Sequence, residues 1–152
     1  KQKEYERIRK EKLEIESRTV DFVQPGKSQL EEDHNLQFEN SDSGLWRRGR
    51  HRRWAYDGGW FSYDVAVNNE PMILRVTYDQ GRDENVIYEV IVDEEKIAEQ
   101  VQEKGFGLFY VEYKLPESLL RYKNKITVKF ARPDKGFHRG GVLGVRVLKE
   151  KK

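Results

Sequence analysis

The feature that most restricts this fold is a two-residue rhythm in the apolar side chains. From Trp60 to Val67, Phe61, Tyr63, Val65 and Val67 fall on one side, while Trp60, Ser62, Asp64 and Ala66 fall on the other. This is the pattern of a strand with one face on a core. The rhythm recurs in Met72 to Tyr78, Val86 to Val92, Phe109 to Leu115, Ile126 to Phe130 and Leu143 to Val147. Shorter strand-like stretches are Thr19 to Val23, stopped by Pro25-Gly26, and Leu36 to Glu39, closed by the turn-rich Asn40 to Gly44. About eight short strands without an internal repeat predict an all-β chain. The expected architecture is an antiparallel, two-sheet, jelly-roll-like β-sandwich of galactose-binding-like type, with an immunoglobulin-like sandwich as the alternative. Charged residues (37%) match hydrophobic ones (36%), so the core must draw on aromatic and β-branched side chains, which favour strands.

Around this domain, expected over residues 13–149, the chain is polar. Lys1 to Lys12 reads as a charged helix or linker from a preceding domain, with Glu6 and Lys10 at i,i+4 spacing, and 150–152 as a tail. The opening Lys1 in place of methionine reads as a piece of a longer protein. Lys27 to Asn35 reads as a surface loop, and Glu117 to Tyr122 has room for one helical turn. The turn at Asp93 to Lys96 has no glycine, so positive φ there would carry strain. Gly140-Gly141 precedes a strand and suits close backbone packing.

One segment stands apart. Trp46 to Trp54 holds five arginines and a histidine between two tryptophans, and the hinge Asp57-Gly58-Gly59 joins it to the strand above. Three readings are open. As a glycan site, Trp46, Trp54, Tyr56 and Trp60 would stack on sugar C–H faces, and Arg48, Arg50 and His51 would bond hydroxyls. As a nucleic-acid module, the same aromatics would interleave with basic residues. Lysine plus arginine (29) nearly balance aspartate plus glutamate (27), however, so the footprint would be one segment and not a face. In the third reading the arginines pair with acidic residues such as those of Leu30 to Asp33, or with a neighbouring domain. Trp60 lies on the side away from the core, as a platform or under the arginine segment.

Chemistry within the chain is narrowly bounded. There is no cysteine, which excludes disulfides, thiolate metal sites and thiol nucleophiles and leaves the compartment open. A periplasmic or secreted setting is expected if the chain belongs to a longer bacterial protein. His34, His51 and His138 lie apart, without zinc-site spacing, and no carboxylate pair is singled out for glycosidase work. No catalytic residue and no cofactor are expected. Glu39, Asp42 and Asp64 are weak calcium candidates, with turn capping and solvation as the plainer explanation. No apolar run approaches the roughly 18 residues of a membrane span, so no membrane partner is expected.

The ordered motifs SRTVDFVQPG, EEDHNLQFENSDSG, DGGWFSYDVAV, ILRVTY, YEVIVD, KIA, FYVEYKLPESL, KITVKFARP and GGVLGVRVLK, over roughly residues 13–149, resemble the C-terminal region of β-L-arabinofuranosidase-like glycoside hydrolases, families 127 and 146. In such enzymes catalysis belongs to an upstream (α/α)6 barrel with a cysteine nucleophile and a zinc cluster, which a cysteine-free chain cannot carry. The resemblance therefore implies a non-catalytic accessory domain, packing on that barrel of the same polypeptide or binding plant-type polysaccharide or oligosaccharide. Two departures stand out. Glu94 sits where relatives tend to have the glycine of a VDG turn, and the RRGRHRR run is more basic than usual.

Overall fold

The chain was described from a computed structural model that covers residues 2–46, 49–81, 85–133 and 140–151, without the side chain of Trp46. Among these residues there are nine strands and three helices: α1 (Gln2–Arg18), β1 (Thr19–Val23), α2 (Ser28–Asp33), β2 (Gln37–Trp46), β3 (Arg50–Ala66), β4 (Met72–Asp79), β5 (Val86–Val92), β6 (Glu95–Gln102), β7 (Leu108–Lys114), α3 (Glu117–Leu120), β8 (Lys125–Ala131) and β9 (Val142–Lys149). All paired strands run antiparallel. A front layer runs β6-β5-β8-β3, with β2 beyond β3, and a back layer runs β9-β4-β7, with β1 beyond β9. This is the expected jelly-roll-like sandwich.

The rhythm of the sequence decides what lies between the layers. Phe61, Tyr63 and Val65 of β3, Val128 and Phe130 of β8, and Tyr88 and Val90 of β5 are fully or almost fully buried. They face Leu74, Val76 and Tyr78 of β4 and Val145 and Val147 of β9. Aromatic rings tie the layers: Phe130 stacks on Phe61 at 5.3 Å and meets Tyr78 edge-on at 6.4 Å. Buried hydroxyls are satisfied as burial requires, with Tyr88 accepting from the Ala55 N–H and donating to the Gly140 carbonyl.

Strand β3 passes between the layers. Its second half pairs with β8 from Trp60↔Ala131 to Ala66↔Lys125 and with β2 from Gln37↔Ser62 to Glu39↔Trp60, while its first half pairs with β2 from Ser41↔Ala55 to Trp46↔Arg50 and meets β9 at Arg53↔Val142. The bend falls at Gly58-Gly59. A Cβ on Gly59 would lie 2.2 Å from the Asn40 carbonyl oxygen, and β3 bulges here, its residues 56–59 facing Asn40 alone of β2. The expected hinge is thus a corner inside one continuous strand.

Three local expectations differ from the structure. α1 runs six residues past Lys12 to Arg18. Glu14, Glu16 and Arg18 are good helix formers, and i,i+4 pairs support the helix at Arg7–Glu11 and Glu14–Arg18. Lys27 to Asn35 contains α2 with a buried Glu31, and Asn40 to Gly44 continues β2. The single turn α3 forms as expected.

The β5–β6 turn bears the anticipated strain. Asp93 and Glu94 have φ of 46° and 72°, the signs a two-residue type I′ hairpin turn requires. Asp93 is held by accepting from the Thr127 N–H (2.8 Å) and from Lys123 Nζ (2.6 Å). Glu94 has no such anchor among the described residues. A left-handed residue with a side chain costs about 1–2 kcal/mol, and glycine's greater unfolded-state freedom returns about half of that. Glu94→Gly should therefore raise the midpoint of thermal unfolding by a few degrees, and a lowered midpoint would show that the turn is unstrained.

Candidate functional site: the arginine hairpin and the Trp60 groove

The arginine segment is a hairpin, with Leu45 opposite His51 and Trp46 opposite Arg50, and its inner arginines are committed to the fold. Arg53, 6% exposed, donates from Nε to Glu31 Oε2 (2.7 Å) and from Nη2 to Glu31 Oε1 (3.1 Å). Its Nη1 reaches Ser41 Oγ at 3.1 Å, and its guanidinium lies 4.9 Å from the centre of the Phe38 ring. Tyr63 donates to the same Glu31 Oε2 at 2.6 Å. Burial alone would raise the Glu31 pKa. The Arg53 and Tyr63 hydrogen bonds outweigh it and hold the carboxyl below its ordinary range, while burial pushes the Tyr63 phenol well up. This pair sets an arginine against Leu30 to Asp33, as the third reading of the segment expected.

Arg52 turns to the back layer, where it pairs with the buried Asp79 and lies 5.2 Å from the Trp54 ring centre. Asp79 also accepts from the Gly141 N–H, and burial leaves its pKa raised despite both donors. The chain before α2 lies against the hairpin: a Cβ on Gly26, where φ is +90°, would sit 3.0 Å from Arg52 N. Trp54 is 5% exposed and meets Tyr56 edge-on at 6.4 Å, so it has little surface to offer a sugar. The expectation of Trp54 as a stacking platform gives way to burial, because this half of β3 is covered on both faces. Arg50 is exposed and His51 half-buried near the turn end of the hairpin, whereas the half-buried Tyr56 lies at its other end, past Ala55. Arg48 and the side chain of Trp46 lie outside the described residues.

Trp60 is elsewhere. Its partner Glu39 and the His51 partner Leu45 are six residue steps apart along β2, on the order of 20 Å. Trp60 lies half-exposed on the outer face of the front layer, with Nε1 donating to Glu39 Oε2 at 3.3 Å and Lys129 Nζ 4.5 Å from its ring centre. The register sets Gln37, Ser62, Lys129 and Ile91 in one row across four strands beside it. These residues line an open groove of about 710 Å³, closed at one end by Thr127, Asp93 and Glu94. Sequence reasoning found Trp60 and missed Lys129, Gln37 and Thr127, which only the cross-strand register brings to it.

The three calcium candidates do not converge. Glu39 holds Trp60, Asp42 accepts from the Ser43 N–H (2.8 Å), and Asp64 accepts from Thr127 Oγ1 (2.6 Å) and Asn35 Nδ2 (2.9 Å). Among the described residues no group of three or more acidic or histidine side chains is placed to hold a metal ion. Likewise, no helix among them is long and apolar enough to cross a membrane. His34 is structural: Nε2 meets Asp21 Oδ1 at 2.8 Å and Nδ1 meets the Leu30 carbonyl at 2.7 Å.

A family profile described as a family of unknown function, DUF6805, matches residues 14–148. The chain belongs to DUF6805. Among curated proteins none matches it in sequence. The sandwich of this DUF6805 member is similar to that of a family 35 carbohydrate-binding module from Clostridium thermocellum, with a TM-score of 0.60 at 10% identity, covering 85% of this chain and 98% of that one. It is similar also to a family 36 carbohydrate-binding module in complex with calcium and xylotriose, with a TM-score of 0.59 at 11% identity, covering 84% and 99%. A third is the CBM36-1 domain of a multidomain xylanase from the hindgut metagenome of Trinervitermes trinervoides, with a TM-score of 0.60 at 8% identity, covering 86% and 98%. At these identities the likeness is one of fold.

The buried pair sets how stability responds to mutation and to pH. Arg53→Ala should cost about 3–5 kcal/mol in urea unfolding, because it strands the Glu31 carboxylate, whereas Glu31→Leu combined with Arg53→Met should cost far less. The depressed Glu31 pKa supplies stability that is complete above its unfolded value, roughly pH 4.3, and lost as pH falls through the folded one. Burial opposes charge on His34, but its bonds to Asp21 and Leu30 win and raise its pKa. Its contribution is therefore complete below roughly pH 6.5 and lost as pH rises through the folded value. His34→Gln should flatten the alkaline side of a stability–pH profile, and an unchanged profile would contradict the assignment.

Proposed function

We propose that this chain is a non-catalytic accessory domain that binds glycan on the outer face of its front layer, with Trp60 as the stacking platform. The observation that carries the reading is a half-exposed indole at the side of a row of polar side chains, in a groove of about 710 Å³. A pyranose or furanose ring offers a C–H face to the indole and hydroxyls around its rim. Lys129 would then move aside or lie next to the sugar and donate to a hydroxyl, with Gln37, Thr127 and Glu94 within the same groove. The carbohydrate-binding modules that share the fold support this reading.

Two finer readings belong to the same proposal. The ordered motifs that resemble β-L-arabinofuranosidase-like hydrolases support a place beside an upstream (α/α)6 barrel and a plant-type ligand. At the turn end of the hairpin, Arg50 and His51, with Trp46 and Arg48, and farther along β3 Tyr56, would provide additional contacts to an extended chain. The nucleic-acid alternative is weakened because Arg52 and Arg53 are taken up by Asp79 and Glu31.

Affinity electrophoresis through gels containing arabinan, pectin or xylan tests the reading. The parent should be retarded by at least one of them, and Trp60→Ala should lose at least about tenfold in affinity, ~1.4 kcal/mol. Equal retardation of Trp60→Ala and the parent would remove the site, and free migration of the parent in every gel would remove glycan binding.

A further inference from the structure

We propose that Arg75 and Arg146, side by side on the outer face of the back layer, form a second site, for the carboxylate of an acidic sugar. The register puts Phe22 of β1, Arg146 of β9, Arg75 of β4 and Glu112 of β7 in one row across four strands. Like charges in directly opposed positions of a sheet repel, so this placement costs stability unless something offsets it. For Arg75 the offset is visible: Nη1 lies 3.0 Å from Glu112 Oε2. For Arg146 it is not. This half-buried guanidinium donates to Thr19 Oγ1 at 3.0 Å and lies 4.3 Å from the centre of the Phe22 ring. Among the described residues no carboxylate comes within ion-pair distance of it. Burial and the charge of Arg75 together hold its pKa below the ordinary arginine value, with Glu16 opposing them. A buried charge is normally paired, and among the described residues this one feels only the Glu16 carboxylate, from beyond ion-pair distance.

The surroundings suit a sugar better than a bare ion. Each guanidinium has a ring beside it, Phe22 at 4.3 Å from Arg146 and Tyr110 at 4.4 Å from Arg75, and Tyr110 is 59% exposed. The next row of the sheet sets Gly144 beside Thr77, and the Phe22 ring lies against that glycine, where a Cβ would be 3.5 Å from its Cε1. The groove measures about 500 Å³, within the range of small-ligand sites. α1 overhangs it with Lys12 and with Glu11 and Glu16, and neither glutamate pairs with Arg75 or Arg146. A uronic acid would put its carboxylate on the two planar guanidiniums and its C–H face against the exposed tyrosine. This site is on the opposite layer from the Trp60 groove, so it stands or falls separately from that reading.

The test is affinity electrophoresis of the whole chain in polygalacturonate, with neutral arabinan and poly-glutamate gels alongside. The parent should be retarded by polygalacturonate, Arg146→Gln should lose at least tenfold of that affinity, and Trp60→Ala should keep it. Arg146→Gln removes a repelled charge and should leave thermal stability unchanged. If it fails to fold, Arg75→Gln, with the same expected loss, carries the test. Free migration of the parent in polygalacturonate, or undiminished retardation of the glutamine variant, would overturn the site. Equal retention by poly-glutamate would overturn its assignment to a sugar.

Discussion

The carboxylate of Glu31 holds this sandwich in shape. Arg53 and Tyr63 lie ten positions apart on one strand, about 33 Å if it were straight. Both nevertheless bond the same Glu31 oxygen through side chains only about 7 Å long. β3 can satisfy that geometry only by turning, and Gly58-Gly59 supplies the corner. The carboxylate thus joins α2 to both halves of the strand that passes between the layers. Such a pair gains little over an apolar filling, but once built it cannot lose one member cheaply.

The same arrangement sorts the arginines. A run that looks like one cationic surface is divided by the sandwich: Arg53 goes to α2 and Arg52 to Asp79 at the end of β4, with the backbone near Gly26 and Gly141 pressed against them. Past the corner the strand belongs to the front layer, and one of its faces looks outward. That turns Trp60 out while Trp54, six residues earlier, is buried. Position in the fold, more than residue type, separates an outward-facing tryptophan from a packing one.

What was legible in the sequence follows from this. The alternation in the second half of β3 and in β4, β5, β7 and β8 could be read directly, because those stretches turn one face to the core and the parity of their residues is fixed. Around Arg53-Trp54-Ala55 all three residues are buried, and no period-two rule can find them. Glu31 could not be told from Glu32 and Asp33 beside it, since a buried carboxylate is marked only by the arginine it meets, 22 positions away. The groove around Trp60 was half legible: its tryptophan shows in the strand pattern, but Lys129 and Gln37 arrive through register. The resemblance to hydrolase C-terminal regions reached the sandwich fold, and the match to DUF6805 now places the chain in its family.

The central claim is that burial reserves the first half of β3 for the fold and leaves Trp60 for ligand. Three tryptophans give three indole N–H signals in a nitrogen–proton correlation spectrum, at Trp46, Trp54 and Trp60. Titration with the oligosaccharide of whichever glycan retards the protein should move the Trp60 signal progressively and leave that of Trp54 in place. A shift confined to Trp46 or Trp54, with Trp60 unmoved, would contradict the account.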